Sequence, residues 1–108
     1  MPQPPSDVKP EHDGRWRLYV LRCADESLYT GITTDVERRV QEHNEGPKGA
    51  RYTRARRPVS LVAHWGHPDR STATKAERCF KALSRARKMA VIAGDAALPW
   101  SAAEKPSD

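Results

Sequence analysis

A dense apolar run, Leu18 to Leu21 within Arg17–Cys23 (RLYVLRC), opens the structured part of the chain. Its content of β-formers predicts a strand. Ala24, Asp25, Glu26 and Ser27 supply turn chemistry, and a second run, Leu28–Ile32 (LYTGI), predicts a partner strand in a β-hairpin. The pattern then changes period. Thr34-Asp35-Val36-Glu37 has the form of a capping box with Thr34 as N-cap, so a helix is expected to about Asn44, where Gly46-Pro47 stops it. Lys48 to Pro58 reads as a basic loop and Val59–Ala63 (VSLVA) as a third strand, with His64-Trp65-Gly66-His67 a loop after it. Asp69 or Ser71 can cap a second long helix carrying Ala73, Ala76, Phe80 and Leu83 inward, and Ser84 a third that ends before Gly94. The order β-β-α-β-α-α predicts an α+β fold, a three-stranded sheet flanked by helices.

Both ends lack such a pattern. Residues 1–14 and 95–108 are rich in Pro, Ala, Ser and charge, and we expect them to be disordered tails around one domain at 15–94. Charge follows the same division. Each tail carries a net −2 and the whole chain +5, so the core carries +9. No acidic residue falls between Glu45 and Asp69, a gap that holds Lys48, Arg51, Arg54, Arg56 and Arg57. A core of this charge points to a polyanion, most simply nucleic acid, with these five cations as phosphate contacts. Cys23 and Cys79 form no CxxC and read as free thiols of a reducing compartment. The chain shows neither the apolar run of a signal peptide nor a stretch approaching a membrane span, so a cytoplasmic location and no membrane contact are expected.

Within the hairpin, Tyr19 and Tyr29 lie ten residues apart. A five-residue loop, Cys23 to Ser27, would pair Leu21 with Tyr29 and leave Tyr19 diagonal to Tyr29, roughly 7–8 Å away on one face. Gly31 shares that face, where a missing side chain leaves room for a backbone or a phosphate. At about 100° per residue, Arg39 and His43 border the Val36–Val40 stripe of the first helix, while Arg38 points away. An arginine at the edge of a core needs an anion, either a carboxylate or a phosphate. By the same geometry Glu77 sits beside Phe80 on the second helix. A carboxylate there invites either a salt bridge, for example to Arg39, or a hard metal ion, and one carboxylate suffices for Mg²⁺, which keeps waters and takes phosphate oxygens. The histidines 12, 64 and 67 form no metal cluster, and Trp16 and Trp65 read as core anchors and not as stacking platforms.

These residues together carry a resemblance. Leu18-Tyr19-Val20 and, ten residues on, Tyr29-Thr30-Gly31 resemble the two tyrosine motifs of the GIY-YIG nuclease family. The stretch TTDVERRVQEHN is similar to that family's first helix, with Arg39 at its essential arginine and His43 one turn on, and Glu77 in KAERCFK corresponds to its metal-binding glutamate. GARYTRARRPVSLV resembles the small stand-alone YhbQ-like branch. The pair before the first tyrosine is Arg17-Leu18, and no asparagine follows Asn44, where many of these nucleases carry one late in the fold. The resemblance implies a DNA endonuclease, structure-selective, in repair or processing. It would act as a monomer without an obligatory protein partner, on DNA in preference to RNA, with one Mg²⁺ or Mn²⁺ ion held by Glu77. It implies Tyr19, Tyr29, Arg39, His43 and Glu77 as catalytic residues: either tyrosine as base with the other orienting water, His43 accepting or orienting a phenolic proton, and Arg39 on the scissile phosphate. The alternative is a catalytically weak DNA- or RNA-binding module on the same fold.

Overall fold

Residues 15–100 are described by a computed structural model. Strand β1 (Trp16–Arg22) and strand β2 (Leu28–Thr33) form the hairpin. The loop is the five-residue one, closed by Cys23 N–H donating to the Ser27 carbonyl at 2.8 Å, and it pairs Leu21 with Tyr29 as the spacing requires. Helix α1 (Val36–Asn44) follows, then a short helix α2 (Arg51–Arg54), strand β3 (Ser60–His67), helix α3 (Arg70–Lys81) and helix α4 (Arg85–Ala93). Among the described residues the strands form one antiparallel sheet in the order β2-β1-β3.

Strand β1 is central in the sheet, and helices packed on either side cover both of its faces. Leu18 and Val20 meet Ala76, Phe80 and Val91 from α3 and α4 on one side. Tyr19 and Leu21 meet Val36 of α1 and Val59 on the other. All four strand residues are therefore buried, and the run reads as continuously apolar instead of alternating. A register shift between Val20 and Leu21 leaves Val62 as the extra residue of a bulge in β3.

Several boundaries differ from expectation for identifiable reasons. Asp35, not Thr34, caps α1: its carboxylate accepts from Arg38 N–H. Thr33 Oγ1 in turn accepts from Asp35 N–H at 3.1 Å, which fixes the entry one residue later. Asp69 caps α3 through a box with Thr72, and Ser84 caps α4, which ends at Gly94 in the left-handed region. The stretch His64–His67 is strand and not loop, because it pairs with Trp16–Tyr19. The basic stretch is also not a plain loop, since it contains α2.

The expected tail from residue 95 needs the same correction as far as Trp100. That ring is buried against Trp65 and His67, with centroids 5.2 and 5.4 Å away, an aromatic anchor that composition alone does not reveal. Residues 1–14 and 101–108 lie outside the described part. No described helix is long and apolar enough to cross a membrane, and both cysteines are free, Cys23 buried and Cys79 half-buried.

Candidate active site

The site begins in the middle of β1. Tyr19 is 1 % exposed and stands opposite Gly31 of β2. A Cβ at Gly31 would lie 2.6 Å from the Tyr19 hydroxyl oxygen and 2.9 Å from Cζ. The space at Gly31 is thus filled by the tyrosine ring itself, not left for a backbone or phosphate as expected. Tyr29 lies diagonally across, its ring centroid 6.5 Å from that of Tyr19.

Helix α1 brings His43 into this corner, fully buried. Its Nε2 is 2.8 Å from the Tyr19 hydroxyl and its Nδ1 2.7 Å from Thr53 Oγ1. The Thr53 hydroxyl donates to the Ala50 carbonyl at 2.9 Å, so its oxygen is left to accept from His43 Nδ1–H. A contact from Ala50 N–H to the same Nδ1 would favour the other tautomer, but at 3.4 Å it is much the longer. The imidazole thus turns an unprotonated Nε2 toward the phenol. Burial, together with the charges of Arg39 and Arg57 and against that of Glu42, lowers the His43 pKa to about 4, so the ring is neutral. Burial likewise holds the Tyr19 phenol well above its ordinary value. Tyr29 and Glu77 push the same way, and Arg39 opposes them.

Arg39 and Arg38 part as the helix geometry requires. Arg39 is half-buried, with Nη1 donating to Glu42 Oε1 at 2.8 Å and to the Lys48 carbonyl at 2.9 Å. The Arg38 side chain is 65 % exposed, with contacts to Asp35 and Glu42 near 3.9 Å. Glu77 is half-buried on α3 and pairs with Lys81 at 3.1 Å; the expected alternative of a pair with Arg39 is not formed. No group of three or more His, Cys, Asp or Glu side chains that could cage a metal occurs among the described residues. The lone carboxylate fits a hard ion that takes its remaining ligands from water and phosphate.

The basic stretch divides. Arg57 is structural: Nε donates to the His43 carbonyl at 2.7 Å and Nη2 to Gly46 at 2.8 Å, closing the C-terminus of α1. Arg56 has an acidic partner after all, Asp25 of the hairpin loop at 3.0 Å, because the fold brings that loop alongside. Lys48, Arg51 and Arg54 are exposed. Asn44 clips α1 to the residue before β3, its amide bonding both the carbonyl and the N–H of Val59 at 2.9 and 2.7 Å. Sequence reasoning missed Thr53 and Tyr52, both on α2. No local pattern marks either, since the partners that give them a place at the site, His43 for Thr53 and Tyr29 for Tyr52, lie ten or more positions away.

Comparison with known proteins bears on the family and the fold. A family model described as the GIY-YIG catalytic domain matches residues 15–90. A UPF0213 protein of Desulfotalea psychrophila is 52 % identical over 85 residues, 78 % of this chain and 77 % of that one. One of Xanthomonas campestris is 47 % identical over 93 residues, 86 % of this chain and 88 % of its own. The solution NMR structure of a UPF0213 protein from Bacillus halodurans is similar with TM-score 0.50 and 42 % identity, covering 86 % of this chain and 97 % of that one.

Proposed function

This chain belongs to the GIY-YIG catalytic domain family, and from that premise we propose that it is a metal-dependent DNA endonuclease that hydrolyses phosphodiester bonds and selects its substrate by structure. The observation that carries the reading is the buried Tyr19–His43–Thr53 chain beside Arg39 and Glu77. With no second domain among the described residues to read bases, shape or strand ends remain as the basis of selection.

The chemistry needs a base for water, a holder for the phosphate and neutralisation of its added charge. Arg39 offers a planar fork suited to the scissile phosphate. Glu77 would hold one Mg²⁺ or Mn²⁺ ion, which when bound supplies the Lewis acid. Tyr19 is the favoured base. It cannot act as a free phenolate, because burial keeps it protonated. It acts as a relay, taking a proton from water while passing its own to His43 Nε2 at 2.8 Å. His43 resists that proton in the free protein partly because Arg39 stands close. A phosphate bound to Arg39 offsets that charge and raises the basicity of His43 as substrate docks. Thr53 holds the tautomer that makes Nε2 the acceptor. Tyr29 orients the water.

Glu77→Gln tests the reading. Cleavage of a panel of flapped, branched and single-stranded DNAs with Mg²⁺ or Mn²⁺ is expected for the natural protein. In the variant it should be lost while DNA affinity stays within about twofold. Full metal-dependent cleavage by Glu77→Gln sinks the metal assignment. A second reading, a binding module with little turnover, is favoured by one pair of facts: Glu77 is tied to Lys81, and no asparagine follows Asn44. Under it the same panel is bound but not cut.

A further inference from the structure

Beside the tyrosine pair, along the edge strand β2, runs a groove of about 230 Å³ lined by Leu28, Tyr29, Thr30, Tyr52, Lys81 and Lys88. Its chemistry differs from that of the relay. Tyr52 is 38 % exposed, whereas Tyr19 and Phe80 are buried. The ring is nevertheless held in place. The Arg56 guanidinium lies 3.8 Å from its centroid, and Arg56 is itself tied to Asp25 at 3.0 Å and to the Tyr52 carbonyl at 3.0 Å. On the groove side the Tyr29 ring lies nearly parallel, 26° between planes, with centroids 6.0 Å apart. Two ammonium groups, on Lys81 of α3 and Lys88 of α4, complete the wall.

A fixed aromatic face with cations a short distance away suits one ligand class, a flat ring joined to a phosphate. A solvated surface would not need the Arg56 backing, which orders the ring at a cost in side-chain entropy. Bases stack at about 3.4 Å, so a base between the two tyrosines needs their centroids roughly 7 Å apart, about 1 Å more than observed. The ring of a base inside a duplex is covered by its neighbours and cannot enter.

We propose that this groove is a subsite for one unpaired nucleotide next to the scissile phosphate, its base stacked on Tyr52 and its flanking phosphate met by Lys81 and Lys88. The inference rests on the nuclease reading for the words "next to the scissile phosphate", since Tyr29 is shared by both sites. It makes the substrate class a strand that is single or splayed at the cut.

The test measures binding without divalent metal, so that it does not depend on cleavage. Full-length protein and its Tyr52→Ala, Tyr52→Trp and Lys81→Gln/Lys88→Gln variants are titrated with a single-stranded oligodeoxynucleotide, the same sequence as RNA, and a blunt duplex. Tyr52→Ala is expected to weaken single-strand binding about 5- to 150-fold and duplex binding less than twofold, with Tyr52→Trp restoring it. The double lysine variant should weaken single-strand binding and lower its salt dependence. A 2-aminopurine in the strand should lose fluorescence on binding natural protein but not Tyr52→Ala. The oligomer bound more tightly, deoxy or ribo, identifies the source of the nucleotide. Equal losses for single strand and duplex, or no loss with Tyr52→Ala, overturn the subsite. If natural protein cuts DNA with Mg²⁺ while Tyr52→Ala binds single strands normally, the subsite falls and the nuclease stands. If binding depends on Tyr52 but nothing is ever cut, the nuclease reading falls alone.

Discussion

Tyr19 and Gly31 face one another across β1 and β2 with no room for a methyl group: a Cβ at Gly31 would stand 2.6 Å from the Tyr19 hydroxyl oxygen. The hydroxyl cannot simply swing away, because it is bonded to His43 and the ring is buried. Gly31→Ala should therefore cost about 1–3 kcal/mol of stability and remove turnover by displacing the hydroxyl. Urea titrations of Gly31→Ala, Tyr19→Ala and the double variant check the cause. The cost should shrink once the ring is gone, and strictly additive losses would contradict the clash.

Stability should depend on pH through His43. Its pKa of about 4 lies below the ordinary value of 6.5. Between those two values the unfolded chain takes up a proton that the native protein does not, so native stability falls as pH drops from about 6.5 to about 4. The full effect is on the order of 3 kcal/mol, complete below pH 4 and absent above pH 7. The pH dependence of unfolding free energy, with His43→Gln as the reference that lacks this slope, measures it. An NMR titration placing His43 near 6.5 would refute the prediction.

The adjacent arginines are expected to behave differently. Arg39→Ala should lower the single-turnover rate at saturating DNA by two or more orders of magnitude, a loss typical of a transition-state charge contact. Arg39→Lys should not rescue it, since a single ammonium cannot keep Glu42, the Lys48 carbonyl and a phosphate together. Arg38→Ala should leave that rate within about twofold and change affinity only. Equal effects would contradict the burial difference between the two side chains.

Among the five cations of residues 48–57, we expect only Lys48, Arg51 and Arg54 to contribute to salt-dependent binding. Their triple replacement by Gln should flatten the slope of log K against log salt on duplex DNA by roughly 2.7, with little change in melting temperature. Arg57→Gln should do the reverse, because it uncovers the carbonyls at the end of α1. An unchanged slope in the triple variant would leave the loop without a binding role.

The sequence by itself determined the three strands, the three longer helices and their order, though not the short α2, because strand runs, a cap at Asp69 or Ser71, the cap at Ser84 and the stop at Gly94 are local chemistry. It also contained the hairpin register that a five-residue loop would impose, which the structure adopts, and the inward bias of Arg39, His43 and Glu77, which helical periodicity imposes. Tertiary structure alone decided who meets whom. His43 finds Thr53 and Arg56 finds Asp25 only because the 48–58 segment folds back over α1 and the hairpin loop. Gly31 turned out to make room for a ring, which depends on what stands opposite and not on glycine's own freedom. Trp100 left the expected tail because an apolar surface near Trp65 was open to it. Capping and periodicity act over a few residues and are written in the chain at that range. Charge pairing, tautomer and burial depend on distances across the fold, which a linear pattern does not contain.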